Sequence, residues 1–387
     1  MASALTALTG ARLVLPDRVA DDLALLLRGG LIEGLVFSAD LPANGETYDL
    51  SGMTVTPGFV DLQVNGGGGV LLNDDPSVAT MMRIAEAHRR FGTTSLLPTL
   101  ISDTPAKSAA ATAAIRSALE ENVPGVIGLH LEGPHLAPAK RGIHNDKHFR
   151  TLDAEEARSL APPPGGSLLL TLAPERHEPS VLRQLAAQGA VLSAGHTAAD
   201  YDQTRGALGA GVSGFTHLFN AMPPLLSREP GPVTAALESE AWCMVIADGH
   251  HIHDAVLKLA FRAKADGRMI LVSDAMSLAG TDLRSFQFDG KTIREENGRL
   301  TDDAGTLAGS NLTMLTAVRH AVSRLGLPLH QAVRCAALEP ARFLGREGEF
   351  GQLAAGCAAD LNIFTDSLNL VATIKGGDLT PLLPHLR

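Results

Sequence analysis

From Thr56 to Asp274 the chain alternates short apolar runs with stretches of helical character. Gly58–Asn65, Thr94–Leu100, Val126–Glu132 and Leu168–Ala173 read as four strands, and Val191–His196, Gly214–Asn220, Cys243–Asp248 and Met269–Asp274 as four more. Apolar runs of this kind are the pattern of strands buried on both faces. Between them, Asp75-Pro76 reads as the N-cap and first residue of a helix that stops before Gly92, and an Ala-rich helix runs from about Thr104 to Glu121. Strands that alternate with helices predict a parallel sheet. Eight of them predict a (β/α)8 barrel, an α/β fold, over residues 56–349.

The chain ends break this rhythm. Ala24–Arg28 and Leu31–Phe37 are apolar runs joined by Gly29-Gly30, a hairpin signal. Residues 1–55 show no helical period, and the tail from Gly351 to Phe364 returns to strand character. Residues 1–55 and 350–387 are therefore expected to form one small β domain, a sandwich built from both ends. Asp289-Gly290 and Asn297-Gly298 mark turns of a small hairpin near the barrel mouth, followed by two helices around 311–325 and 328–345.

What favours a barrel over a doubly wound sheet is where the polar residues fall. Parallel barrels assemble their active sites from the C-terminal tips of several strands. Here the third strand ends in Glu132, the fifth in Gly195-His196-Thr197, the sixth passes through Thr216-His217 and the eighth ends in Asp274. Taken singly, each has an ordinary reading: a salt-bridged carboxylate, satisfied core histidines, a helix N-cap. Taken together, one Glu and two His form a three-ligand set that leaves a catalytic metal a position for water. Asp274 is then placed to take a proton from the attacking water and return it to a leaving group. Ten of the 14 histidines lie between His130 and His253.

Other residues narrow the chemistry. Many metal hydrolases of this barrel type carry His-x-His on the first strand; here the positions are Gln63-Val64-Asn65. Amides are poor ligands for a transition metal, so one ion per subunit is expected. Gly66–Gly69 lacks the Lys of a phosphate loop and reads as a permissive turn. His144, on the loop after the third strand, could polarise a substrate carbonyl. In His250-His251-x-His253 adjacent side chains point apart, so a ligand contact from one is expected rather than a shared ion. Arg228, in PPLLSREPG, is the kind of fork donor a phosphate needs.

Composition bounds the rest. The chain has 387 residues, 45% hydrophobic and 19% charged, with net charge −10 and no Lys/Arg run, which excludes a nucleic-acid surface. Cys243, Cys335 and Cys357 are odd in number and widely spaced, against a disulfide framework. No run has the length of a membrane span, and the first residues lack a signal-peptide pattern. A cytoplasmic location is the expectation.

The stretches PGFVDLQVNGGGG, LHLEGPHLAPAKRGIHN, SAGHT, GFTHLFNAMPPL, ADGHHIH, LVSDAM, GTLAGS and GQLAAGCAADLNIF together resemble the amidohydrolase superfamily. Within it, the likeness is to the N-acetylglucosamine-6-phosphate deacetylase family, over about residues 8–376. LEGP followed by THLFNAM is the specific part. The resemblance implies a divalent metal ion, Zn²⁺ or Fe²⁺, on Glu132, His196 and His217, a catalytic Asp274, and His144 on the acetamide carbonyl. It implies substrate contacts from Ile143, Asn220, Ala221, Leu307, Ala308 and Gly309. It further implies a homodimer in which Arg228 and His251 reach the phosphate from the neighbouring subunit. The substrate class would be a small amino-sugar phosphate; the galactosamine epimer and an inactive sugar-phosphate sensor are the alternatives.

Overall fold

In a computed structural model, which describes residues 4–385, the eight expected strands form one all-parallel sheet. They are β1 (Phe59–Val64), β2 (Thr93–Ile101), β3 (Gly128–Glu132), β4 (Ser167–Leu172), β5 (Val191–Ala194), β6 (Val212–Phe215), β7 (Trp242–Val245) and β8 (Met269–Leu271). Each pairs with its neighbour in sequence order from β1 to β8. The barrel closes between β8 and β1: Val64 bridges Ala275, Asp274 N donates to Gln63 O (2.9 Å) and Asn65 N to Ala275 O (2.9 Å). Asp61, buried on β1, spans the same seam by accepting from Ser273 N at 3.2 Å and Gln63 N at 3.3 Å.

Burial on both faces explains the unbroken apolar runs. On β3, where side chains alternate faces, Leu129 and Leu131 join the hydrophobic core, while His130 and Glu132 fall on the other face. His130 is a satisfied core histidine, with Nε2 at 2.7 Å from Thr171 Oγ1. From Thr171 a chain of 2.7 Å hydrogen bonds runs through Thr216 to Ser193.

Both chain ends contribute to a separate sheet region. Met53–Pro57 pairs antiparallel with Leu361–Thr365 in a five-stranded sheet. Leu23–Arg28 and Leu31–Phe37 form the expected hairpin in a four-stranded one. Leu8, Leu13, Leu25, Ile32, Val55, Leu361 and Ile363 share one core between them.

Several local expectations are corrected. The helix after β1 spans Val78–Arg89 and its cap is Ser77, whose hydroxyl accepts from Thr80 N; Asp75 instead accepts from the Ser77 and Thr80 hydroxyls. Pro105–Glu120 agrees with expectation and is capped by Thr104. The small hairpin is a four-stranded meander, because the chain turns a third time at Asp302–Gly305 and Leu307–Ser310 completes the sheet. The segment 328–345 breaks at Ala337 into Leu329–Ala336 and Leu338–Phe343. Strands β5, β6 and β8 stop before the residues of interest: His196, His217 and Asp274 have φ of +46°, +33° and +52°.

Candidate active site

Those positive φ values have a consequence for geometry. A non-glycine residue in the left-handed region is uncommon, and such strain gathers at functional sites. At the tips of β5, β6 and β8 the backbone leaves the strand direction, and the side chains turn in over the barrel mouth beside Glu132 at the end of β3. His217 Nε2 lies 3.0 Å from Glu132 Oε1 and 3.1 Å from His196 Nε2, and His196 Nε2 is 3.4 Å from the same oxygen. The three ligand atoms fall within 4.8 Å of one another, and all three residues are buried.

The donor set fits a divalent cation. Two imidazole nitrogens and a carboxylate that face one point in a buried site are costly to keep together without positive charge between them. His196 Nδ1 lies 2.7 Å from Lys140 O, which fixes the proton on Nδ1 and leaves the Nε2 lone pair free. Burial works to raise the Glu132 pKa, yet the neighbouring His196 and His217 rings hold it well below the ordinary carboxylate range. For His217, burial disfavours the charge but the Glu132 contact outweighs it, so its pKa is raised.

A cavity of about 360 Å³ opens above the cluster. Asp274 lines it, and its pKa is pushed up to about 7, first by burial and next by the Glu132 charge. Two amides on β1 and just beyond it address the carboxylates. Gln63 Nε2 donates to Glu132 Oε1 at 2.9 Å, and Asn65 Nδ2 donates to Asp274 Oδ1 at 2.7 Å. His144, 4% exposed, lies with Nε2 at 3.8 Å from Glu132 Oε2, and burial and then His196 depress its pKa well below the ordinary value, so the ring is neutral.

Residues 54–380 match the amidohydrolase family. The chain belongs to it. An N-acetylgalactosamine-6-phosphate deacetylase of Shewanella sp. (strain ANA-3) is 42% identical, across 96% of this chain and 94% of that protein. An N-acetylglucosamine-6-phosphate deacetylase of Haemophilus influenzae is 34% identical, across 93% and 95%. The crystal structure of N-acetylglucosamine-6-phosphate deacetylase from Pasteurella multocida superposes with a TM-score of 0.92 at 34% identity, covering 97% of this chain and 99% of that one.

In this amidohydrolase the cavity brings together Ile143, His144, Asn220, Ala221, His251, Asp274, Leu307 and Gly309 with the Glu132, His196 and His217 cluster. Two expected residues are not among its lining. Ala308 is fully buried, because alternation along Leu307–Ser310 turns it away while Leu307 and Gly309 face the cavity. Arg228 is exposed on the loop after β6, near Leu225 (52% exposed) and Leu226 (50%). His251, expected from a neighbouring subunit, lines the cavity of its own chain, with Nδ1 at 2.7 Å from Asp248 Oδ2. His250 and His253 are exposed, and among the described residues the only metal-competent group is Glu132, His196 and His217.

Sequence reasoning missed Lys140, which acts through its backbone carbonyl and so leaves no side-chain signal. It also missed Ser102, one residue past β2, whose Oγ lies 2.8 Å from His144 Nδ1. A hydroxyl directly after the apolar run Leu96–Ile101 was the available signal. Gln63 and Asn65 were read only as non-ligands, not as donors that hold the two carboxylates.

Proposed function

We propose that the protein hydrolyses the acetamide of N-acetylglucosamine 6-phosphate, giving glucosamine 6-phosphate and acetate. The observation that carries this reading is the convergence, in one cavity, of a buried Glu-His-His cluster with the Asp274 carboxylate. It is supported by relatives that carry deacetylase names over nearly the whole chain.

Glu132, His196 and His217 would hold one divalent ion, zinc or ferrous iron, both of which suit this ligand set. Such an ion, when bound, polarises the amide carbonyl and acidifies water. Asp274 takes the proton from the attacking water as the new C–O bond forms, and delivers it to the amine nitrogen as the C–N bond breaks. The Asn65 hydrogen bond to Oδ1 fixes the carboxylate and leaves Oδ2 for the proton. His144 donates to the carbonyl oxygen and stabilises the charge that develops on it. Asn220, Ala221, Leu307 and Gly309 enclose the sugar, and His251 contributes from the same chain. Arg228 captures the phosphate across a homodimer; its exposure beside Leu225 and Leu226, away from its own cavity, supports that role. The two chain ends and the barrel act as separate structural and catalytic units, and a cytoplasmic enzyme of amino-sugar breakdown fits the reaction.

A second reading, N-acetylgalactosamine 6-phosphate, is favoured by the 42% identity to a protein of that name. The test is acetate release from both epimers, each with and without the 6-phosphate. The glucosamine 6-phosphate substrate is expected to give the highest kcat/KM. A preference for the galactosamine epimer moves the assignment to the second reading, and no release from either phosphate by metal-loaded protein rejects both.

A further inference from the structure

The tip of β4 stands between two tips that build the site, yet among the described residues nothing from it lines the cavity. Its polar side chains turn sideways instead. Pro174–Arg176 form a single turn of 3-10 helix, and its two charged residues part there. Arg176 donates to Leu136 O on the loop after β3. Glu175 reaches the loop after β5, where Thr197 Oγ1 lies 2.5 Å from Oε2 and Ala198 N lies 2.7 Å from Oε1.

The direction of both bonds follows from the groups themselves. An ionised carboxylate only accepts hydrogen bonds. Ala198 N–H can only donate. Ala199 N donates to Thr197 Oγ1 at 3.0 Å, which leaves the hydroxyl proton for Glu175. Bonds to an ionised acceptor are the stronger kind. Thr197 is fully buried, and its own N–H donates to Ala221 O at 3.2 Å, on the loop after β6.

These bonds fall on the two residues that follow His196, whose φ of +46° needs its surroundings to hold it. On the preceding side, packing does so: a Cβ on Gly195 would lie 2.7 Å from Thr171 Cγ2 and 2.9 Å from Thr216 Cβ. On the following side Ala198 is exposed, and the bonds to Glu175 take the place of packing.

We infer that Glu175 is a positioning residue for the metal ligand His196, which it holds in its left-handed turn through Thr197 and Ala198. The inference rests on the reading of Glu132, His196 and His217 as metal ligands. Without Glu175 the loop after β5 relaxes toward ordinary backbone, and His196 Nε2 leaves the point it shares with Glu132 and His217.

The experiment uses the full-length protein. In Glu175→Ala, zinc affinity measured by competition with a chromophoric chelator should fall by about 10- to 100-fold, the usual cost of losing a partner that orients a ligand. Glu175→Gln keeps an acceptor for Ala198 N and should recover part of the loss. Cobalt(II) at saturation reports ligand geometry through its visible absorption, and Glu175→Ala should shift that spectrum. A residue that merely supports the fold would leave it unchanged, and an unchanged spectrum overturns the inference. Thr197→Val has nearly the same shape and removes only the hydroxyl bond, so it should weaken zinc binding by about 2- to 10-fold, the worth of one hydrogen bond. Added to Glu175→Ala it should cost nothing more, because the bond is already gone. Unchanged zinc affinity in Glu175→Ala, or fully additive losses, also overturn the inference. If Glu175→Ala does not fold, unchanged affinity in both Glu175→Gln and Thr197→Val does so. Zinc binding is read without substrate. A wild type that binds zinc but releases no acetate overturns the reaction alone, whereas one that binds no zinc overturns the ligand set and this inference with it.

Discussion

At one edge of the cavity Glu132, His196 and His217 turn lone pairs toward a common point; at the other, Gln63 and Asn65 turn N–H groups toward carboxylates. Both edges are strand tips of the same barrel, and both are buried. The first edge concentrates electron pairs and calls for a cation. The second is already balanced: each amide meets a carboxylate oxygen at ordinary hydrogen-bond distance. Where a His-x-His pair would offer lone pairs, this chain places two donors. The same backbone position therefore organises Glu132 and Asp274 instead of binding an ion of its own.

The sharpest way to break the comparison is to make the proton carrier inert. Asp274→Asn keeps the shape of the side chain but removes its basicity. Since a general acid–base role is worth about 10²–10⁴-fold, and this group acts twice, kcat should fall by about 10⁴-fold. Metal content should be unchanged, as measured by elemental analysis. Loss of metal together with activity would mean that Asp274 belongs to the cation edge.

Asp61 tests how the donor edge is held, since it stitches β1 to the start of the Asp274 tip. Burial pushes its pKa up from 3.8 to about 6, against the pull of its hydrogen bonds from Ser273 and Gln63. The folded protein thus binds this proton more tightly than the unfolded chain. Its contribution to stability is fully present below pH 3.8 and is lost as pH rises through 6. Asn at this site has no such loss. Chemical denaturation of Asp61→Asn and wild type between pH 4 and 7 should show the difference drifting in favour of the variant by up to about 3 kcal/mol. A pH-independent difference would show that Asp61 titrates normally.

A smaller effect is expected at Gln63. Gln63→Ala leaves Glu132 without its amide donor, and such outer partners are worth about 10- to 100-fold in metal affinity. Competition with a chromophoric chelator measures it. Unchanged affinity would mean that the 2.9 Å contact does not orient the ligand.

The parts that were legible in the sequence follow local rules. Burial on both faces wrote the barrel strands as apolar runs, and a polar residue closing such a run marked Glu132, His196, His217 and Asp274. What stayed hidden depends on pairs far apart in the chain. Gln63 meets Glu132 across 69 positions and Asn65 meets Asp274 across 209, and no periodicity links them. The resemblance brought Ala308 in with Leu307 and Gly309, and strand alternation puts it on the other face. The resemblance brought His251 from a neighbouring subunit, whereas the loop after β7 carries it over the cavity of its own chain beside Asp248. The meander at 285–310 was undercounted because its last turn, Asp302–Gly305, carries a weaker turn signal than Asp289-Gly290 or Asn297-Gly298.

The contrast between the two edges is tested most directly by titrating metal-free protein with zinc while following acetate release from N-acetylglucosamine 6-phosphate. One cation edge and one donor edge predict that activity rises linearly and saturates at one ion per chain. Activity that continues to rise until two ions are bound would place a second metal at Gln63 and Asn65 and contradict the account.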